Sequence, residues 1–255
     1  MTLLKFLLSI DFLHFFYGLV FFLIALRVRK GYLKGGKTDI LLKSFMMMFF
    51  FWGVFEWLRA APHIYIILGR EDLFPQAMRW GYIISHFFLV LAAAYAFIIP
   101  ASLYWPKWQK LGIGLIIFFG IINAIILIAT PFIPEYHMEE GFTLMNGPLI
   151  ALPPLGLALA MGLGTTAVVF LGKALKGEVK GILRIRSWLI GIGILLIIIS
   201  GPSHNFVKTA GGTFFLDMIS LTGKIVTAVG VLVFKPREEP KQFYRKVSRE
   251  TQEKS

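Results

Sequence analysis

Long apolar runs, broken by short basic or Pro/Gly-rich stretches, set the pattern of this chain. A run of about 20 apolar residues crosses a hydrocarbon core of about 30 Å. Seven such runs fall at roughly 6–26, 39–59, 79–99, 110–130, 148–171, 183–203 and 213–234. Arg27–Lys37, Pro100–Lys110, Pro131–Gly147 and Lys173–Lys180 are among the stretches between them. Backbone groups in lipid need hydrogen-bond partners inside their own segment, so the runs predict helices. Spanning strands would be half as long and would alternate in polarity. The expected fold is an all-α membrane protein, a seven-helix bundle over 1–234 followed by a basic, mixed-charge tail over 235–255. The first run has the basic start of a signal peptide at Lys5. Asp11 and His14 interrupt it and no small-x-small site follows, so it reads as a retained helix.

Composition narrows the classes. Hydrophobic residues make up 57% of the 255, charged residues 16%, and the mean hydropathy is +0.74. That excludes both an ordinary soluble domain and a disordered chain. With no Cys, disulfides, thiolate metal sites and cysteine nucleophiles are excluded as well. The net charge of +12 matters through its distribution. Twenty of the Lys and Arg residues fall in the tail and in the loops after the first, third and fifth runs. Five fall on the other side, and Lys224 lies inside the seventh run. The positive-inside rule then places the N-terminus outside and the C-terminus in the cytoplasm, which suits a multi-pass protein of the cytoplasmic membrane. The basic excess reads as an orientation signal and an anionic-lipid contact, not as a nucleic-acid surface. The expected partners are the bilayer and a cytoplasmic protein reached through the tail.

Gly31–Thr38 satisfies the pattern G-x-x-x-x-G-K-T. That pattern cradles phosphates only where a strand feeds the loop and a helix receives it. Here two membrane helices flank it, so it reads as a basic turn without nucleotide. Gly156, Ala160 and Gly164, and Gly120 with Ala124, have the small-xxx-small spacing that lets helices approach closely. No inverted repeat is visible, which weakens the case for a repeat-built transporter.

Ionisable residues at membrane depth are costly and face the bundle interior or water. Here they recur at i, i+3, i+7, one face of a helix: Asp11, His14 and Gly18; Glu56, Arg59 and His63; Arg79, Tyr82 and His86; Asp217, Ser220 and Lys224. In the inferred orientation nearly all lie in the outer half, with Lys224 about 16 Å down, near the midplane. The expected site is a polar cavity that opens outward and closes below Lys224, for a small ligand, an ion or a proton, in sensing or transport. Its candidate residues are Lys224, Asp217, His86, His14, Arg79, Glu56, Asp11, Tyr82 and Ser220. Asp11, Arg79 and Asp217 could instead snorkel to the interface. His63, His137 and His204 read as loop or interface residues, and a Lys224 salt bridge to Asp217 or Glu56 would lock the bundle.

Other classes stay open. The string Ser220-Leu221-Thr222-Gly223-Lys224, with Arg79 near the start of the third helix, resembles the microbial rhodopsins and, locally, the heliorhodopsins. Leu13–Gly18 is similar to their first helix. The resemblance implies retinal on Lys224 with a nearby carboxylate as counterion. His14 and His86, one on each of two helices, could be axial ligands of a haem. With Asp11, Glu56 or Asp217 they could hold a metal in a membrane enzyme. A structural subunit of a membrane complex is the remaining alternative.

Overall fold

Among the described residues, seven helices are long and apolar enough to cross a membrane: Phe12–Leu33, Ile40–Ile67, Phe74–Tyr104, Pro106–Ala129, Leu149–Leu175, Gly181–Gly201 and Ala210–Leu232. The structure, a computed structural model, describes residues 10–34, 39–137, 142–144, 147–204 and 206–232. Its elements are α1 (Ile10–Lys34), α2 (Ile40–Ala60), α3 (Ile64–Ile67), α4 (Phe74–Tyr104), α5 (Gln109–Ala129), α6 (Leu152–Leu159), α7 (Thr165–Leu175), α8 (Gly181–Ser203) and α9 (Ala210–Leu232). The helices pack largely in chain order, and α9 returns to touch α1. The central helix is α4, which meets α2, α5 and the fifth span. Apolar side chains such as Leu23, Ile125, Val168, Ile199 and Phe215 face outward on these helices. Such an exterior suits a lipid solvent and not water.

Several boundaries differ from the sequence reading, each for a local reason. The first helix runs on through Arg27, Arg29 and Lys30, which were expected in a loop. Cations are favourable in the last turns of a helix, where unpaired carbonyls gather negative charge. The side chain of Asp39 caps α2, accepting from the backbone N–H of Leu41 (2.9 Å) and Leu42 (3.0 Å). Of the Gly31–Thr38 stretch, Gly31–Lys34 closes α1, and the rest lies outside the described residues. The second span does not stop near residue 59. Pro62 tightens it into a 3-10 turn at Ala61–His63, and α3 extends it to Ile67. The tail after Leu232 lies outside the described residues.

The third span is the longest, and Pro100 is inside it instead of ending it. Proline has no N–H to give to the carbonyl four residues back. The Thr166 hydroxyl stands in that place, its one proton shared between Ala96 O (2.9 Å) and Gly162 O (2.8 Å). A neighbouring helix thus satisfies the backbone group that the proline frees.

The fifth span joins α6 to α7 through a π turn at Ala160–Gly164. Close approach there depends on Gly162. A Cβ on it would stand 2.4 Å from Ala93 O, so only glycine lets the turn lie on the Ala-rich face of α4. Gly156 and Gly164, expected at such a contact, have no atom closer than 3.8 Å to a built Cβ. Gly120 does pack closely, against Val90. Between α8 and α9 the contact is Gly193 on Gly223, each with the other's carbonyl 2.5 Å from its Cβ position.

One feature departs from an all-helical chain. In the loop between α5 and α6, β1 (Glu135–His137) pairs antiparallel with β2 (Phe142–Leu144), Tyr136 opposite Thr143. Thr143 is buried and stands over the bundle's end.

Candidate functional site

Consecutive spans alternate in direction, so the starts of α1, α4 and α9 share one end of the bundle with the ends of α2 and α8. There His14, Glu56, Asp217 and Lys224 are buried together, at 3%, 1%, 3% and 4% exposure. The extension of the second span explains the depth match. Glu56 stands eleven residues before Ile67, about 16 Å from that end at 1.5 Å per residue, level with the inner part of the Lys224 stripe.

The contacts form a chain across four helices. Lys224 Nζ donates to Glu56 Oε1. Glu56 Oε2 is 2.6 Å from His14 Nδ1. On the far side of the ring, His14 Nε2 is 3.7 Å from Asp217 Oδ2, an ion-pair distance without a hydrogen bond. Asp217 Oδ1 is 2.9 Å from His204 Nε2, and His204 Nδ1 is 2.8 Å from Ser200 O. A carbonyl only accepts, so His204 carries a proton on Nδ1. The His204–Asp217 contact then needs a further proton, as imidazolium with carboxylate or as imidazole with carboxylic acid. His86 is different: its Nδ1 donates to Tyr82 O at 2.8 Å, which leaves Nε2 as an acceptor.

These groups border a cavity of about 170 Å³. Its polar side carries His14, Tyr17, Glu56, Arg59, Tyr82, His86, His204, Asp217, Ser220 and Lys224. Its apolar side comes from Leu152, Leu155, Leu159 and Leu163 of the fifth span, Ile197 and Ile198 of α8, and Phe55. Three buried polar atoms of the lining have no hydrogen-bond partner among the described residues: Tyr17 Oη, Trp52 Nε1 and Asp217 Oδ2. Leaving one such group unmatched costs about 1–3 kcal/mol.

The sequence candidates divide as follows. Lys224, Asp217, His86, His14, Glu56, Tyr82 and Ser220 meet at the cavity. Arg79 does not: α4 starts five residues earlier than the apolar run suggested, and the Arg79 guanidinium turns to Ile128 O (3.0 Å) and lies over the Phe132 ring. Asp11 is in the first turn of α1, and its side chain lies outside the described residues. Gly18 belongs to a different contact, seating the Trp57 ring. His63 is fully buried, not interfacial, 3.1 Å from Ala60 O and 3.3 Å from Thr143 Oγ1. His204, read as a loop residue, closes the network.

Tyr17 and Trp52 were missed, although they lie three residues after His14 and four before Glu56, on the same faces. Their aromatic character hid them among core residues. Nothing local marks His204, whose role is set by where α8 ends.

The geometry also bears on the cofactor readings. Both ring nitrogens of His14 face carboxylates, so it is not placed as an axial haem ligand. Among the described residues no group of three His, Asp or Glu side chains is arranged to hold a metal ion. Fold and site together define a multi-pass, seven-helix membrane protein with a buried polar cavity. No protein-family model, curated protein or solved structure matches the chain.

Proposed function

We propose that this is a membrane sensor whose cavity binds a small ligand, with a proton-bearing network as part of the binding site. The observation that carries the reading is the set of three buried polar atoms without hydrogen-bond partners around a partly open cavity. Native interiors match such groups with protein or ordered water, so unmatched ones around a cavity point to an occupant.

Sensing is favoured over transport by what lies past Lys224. The core there is built of Phe21, Phe45, Met48 and Phe49. The buried hydroxyls of Ser44, Thr166 and Thr227 are tied to backbone carbonyls. Among the described residues no buried ionisable side chain continues the path. The Lys and Arg distribution supports a cavity facing outward in the cytoplasmic membrane, with the basic loops and tail inside, where a protein partner would receive the signal.

The Lys224–Glu56 pair also fits a retinal site, since an amine with a carboxylate beside it is what a protonated Schiff base needs. Cavity size favours the smaller ligand: about 170 Å³ is close to the roughly 150 Å³ that holds one benzene. Adding retinal to the purified protein decides this, and the sensor reading expects no visible band that depends on Lys224.

Ligand binding is tested with a panel of small anions, cations and neutral polar molecules, read by thermal unfolding. The comparison is Gly156→Leu, which adds a side chain to the cavity lining where a Cβ meets nothing within 4 Å. A compound that stabilises wild type but not Gly156→Leu supports the reading. If no compound separates the two proteins, the cavity is not a ligand site. Uptake of the binding compound into proteoliposomes above empty controls would replace sensing by transport.

A further inference from the structure

The cavity's charges are not all matched, and the mismatch names a ligand class. Both oxygens of Glu56 are taken, one by Lys224 and one by His14. Asp217 has His204 on one oxygen and faces His14 with the other. Arg59 feels both carboxylates through space but touches neither: among the described residues it makes no ion pair and no hydrogen bond. Its guanidinium rests over the Phe55 ring, 5.6 Å from the centroid, at the cavity wall. Two further groups there can donate, the unpartnered Trp52 Nε1–H and the Tyr17 hydroxyl. Both residues are more than nine-tenths buried. Leu155 and Leu159 belong to the apolar part of the same lining.

We infer that the cavity takes a small apolar carboxylic acid as its anion, with the carboxylate on Arg59 and the apolar body against Leu155 and Leu159. This rests on the ligand-site reading and goes beyond it in naming the class. A guanidinium matches a carboxylate with two parallel N–H···O bonds, a match an ammonium cannot give. A cationic ligand would meet Arg59 and Lys224 and find one acidic oxygen, Asp217 Oδ2. A neutral one would leave Arg59 unmatched. The volume suits one ring or a short branched chain beside the carboxylate.

The test uses the full chain in nanodiscs and titration calorimetry at constant ionic strength. Sodium benzoate is the probe, with benzylamine and benzyl alcohol as the cationic and neutral counterparts. Benzoate is expected to bind at least tenfold more tightly than either. Arg59→Gln should lose at least tenfold in benzoate affinity and still fold, because Arg59 gives up only its place over the Phe55 ring and no ion pair or hydrogen bond. Arg59→Lys should recover part of the loss, and Gly156→Leu should abolish binding. Benzoate binding that ignores Arg59→Gln, or no benzoate binding, overturns the proposal. Benzylamine or benzyl alcohol binding as tightly as benzoate, and lost in Gly156→Leu, overturns the carboxylate assignment while the ligand site survives.

Discussion

Replacing Lys224 by Met leaves the Glu56 carboxylate at 1% exposure with His14 as its one remaining partner. Replacing Glu56 by Gln leaves the Lys224 ammonium equally buried, with no other acidic group within 4 Å among the described residues. Two unit charges at 4 Å attract by about 4 kcal/mol at an effective dielectric constant near 20. Removing one partner of a buried pair costs about 3–5 kcal/mol, because the survivor keeps its desolvation penalty without compensation. Each single variant should therefore lose about 3 kcal/mol or more. The double variant leaves no orphan charge, and replacing a whole buried pair by neutral side chains is often close to neutral. With single losses of about 3 kcal/mol each and a double variant close to neutral, a double-mutant cycle should then give a coupling of about 6 kcal/mol in magnitude. Unfolding in a detergent titration, followed by tryptophan fluorescence, measures all four proteins. If the double variant loses the sum of the single losses to within about 0.5 kcal/mol, the two groups do not interact and the network is misplaced.

Thr166→Val should cost about 1–3 kcal/mol in the same titration by stripping Ala96 O of its donor. In a Pro100→Ala background the cost should shrink, since residue 100 then supplies the missing N–H; an equal cost in both backgrounds would refute the substitution of hydroxyl for amide. Gly193→Ala pushes a Cβ to 2.3 Å from Thr227 Oγ1 and 2.5 Å from Gly223 O. It should destabilise by about 1–3 kcal/mol, while Gly172→Ala, whose Cβ meets nothing within 4 Å, should not. The chain has no Cys, so single cysteines report sidedness cleanly. In intact cells an impermeant maleimide should label Thr130→Cys, and should label Lys107→Cys only after permeabilisation. The reverse pattern would invert the orientation.

How much of this was legible before any coordinates follows from the range of each signal. Hydropathy counts residues in lipid, and it located all seven spans. It placed their ends poorly where Pro62 and Pro100 sit, because a proline ends a helix only if no neighbour satisfies the freed carbonyl. Thr166 does so for Pro100 from another span, which no local window contains. The spacing of Glu56, Asp217, Ser220 and Lys224 marked the right faces, since a helix fixes which residues share one. It could not separate Tyr82 and His86, which reach the cavity, from Arg79, which shares their stripe but lies one turn too far out. Gly162 was passed over for Gly156 and Gly164 because a π turn breaks the four-residue register on which the small-xxx-small pattern depends. The β1–β2 hairpin, three residues a strand, is too short to leave a pattern.

The central claim is that costly side chains on separate helices converge on one cavity, and the absence of cysteine allows a direct measurement. His14→Cys with Asp217→Cys replaces the contact between α1 and α9 whose closest approach is 3.7 Å. That pair should be captured by mild oxidation or a short bifunctional thiol reagent in the folded protein, whereas Arg79→Cys with Asp217→Cys should stay uncoupled. Failure of the first pair, or equal capture of both, would contradict convergence.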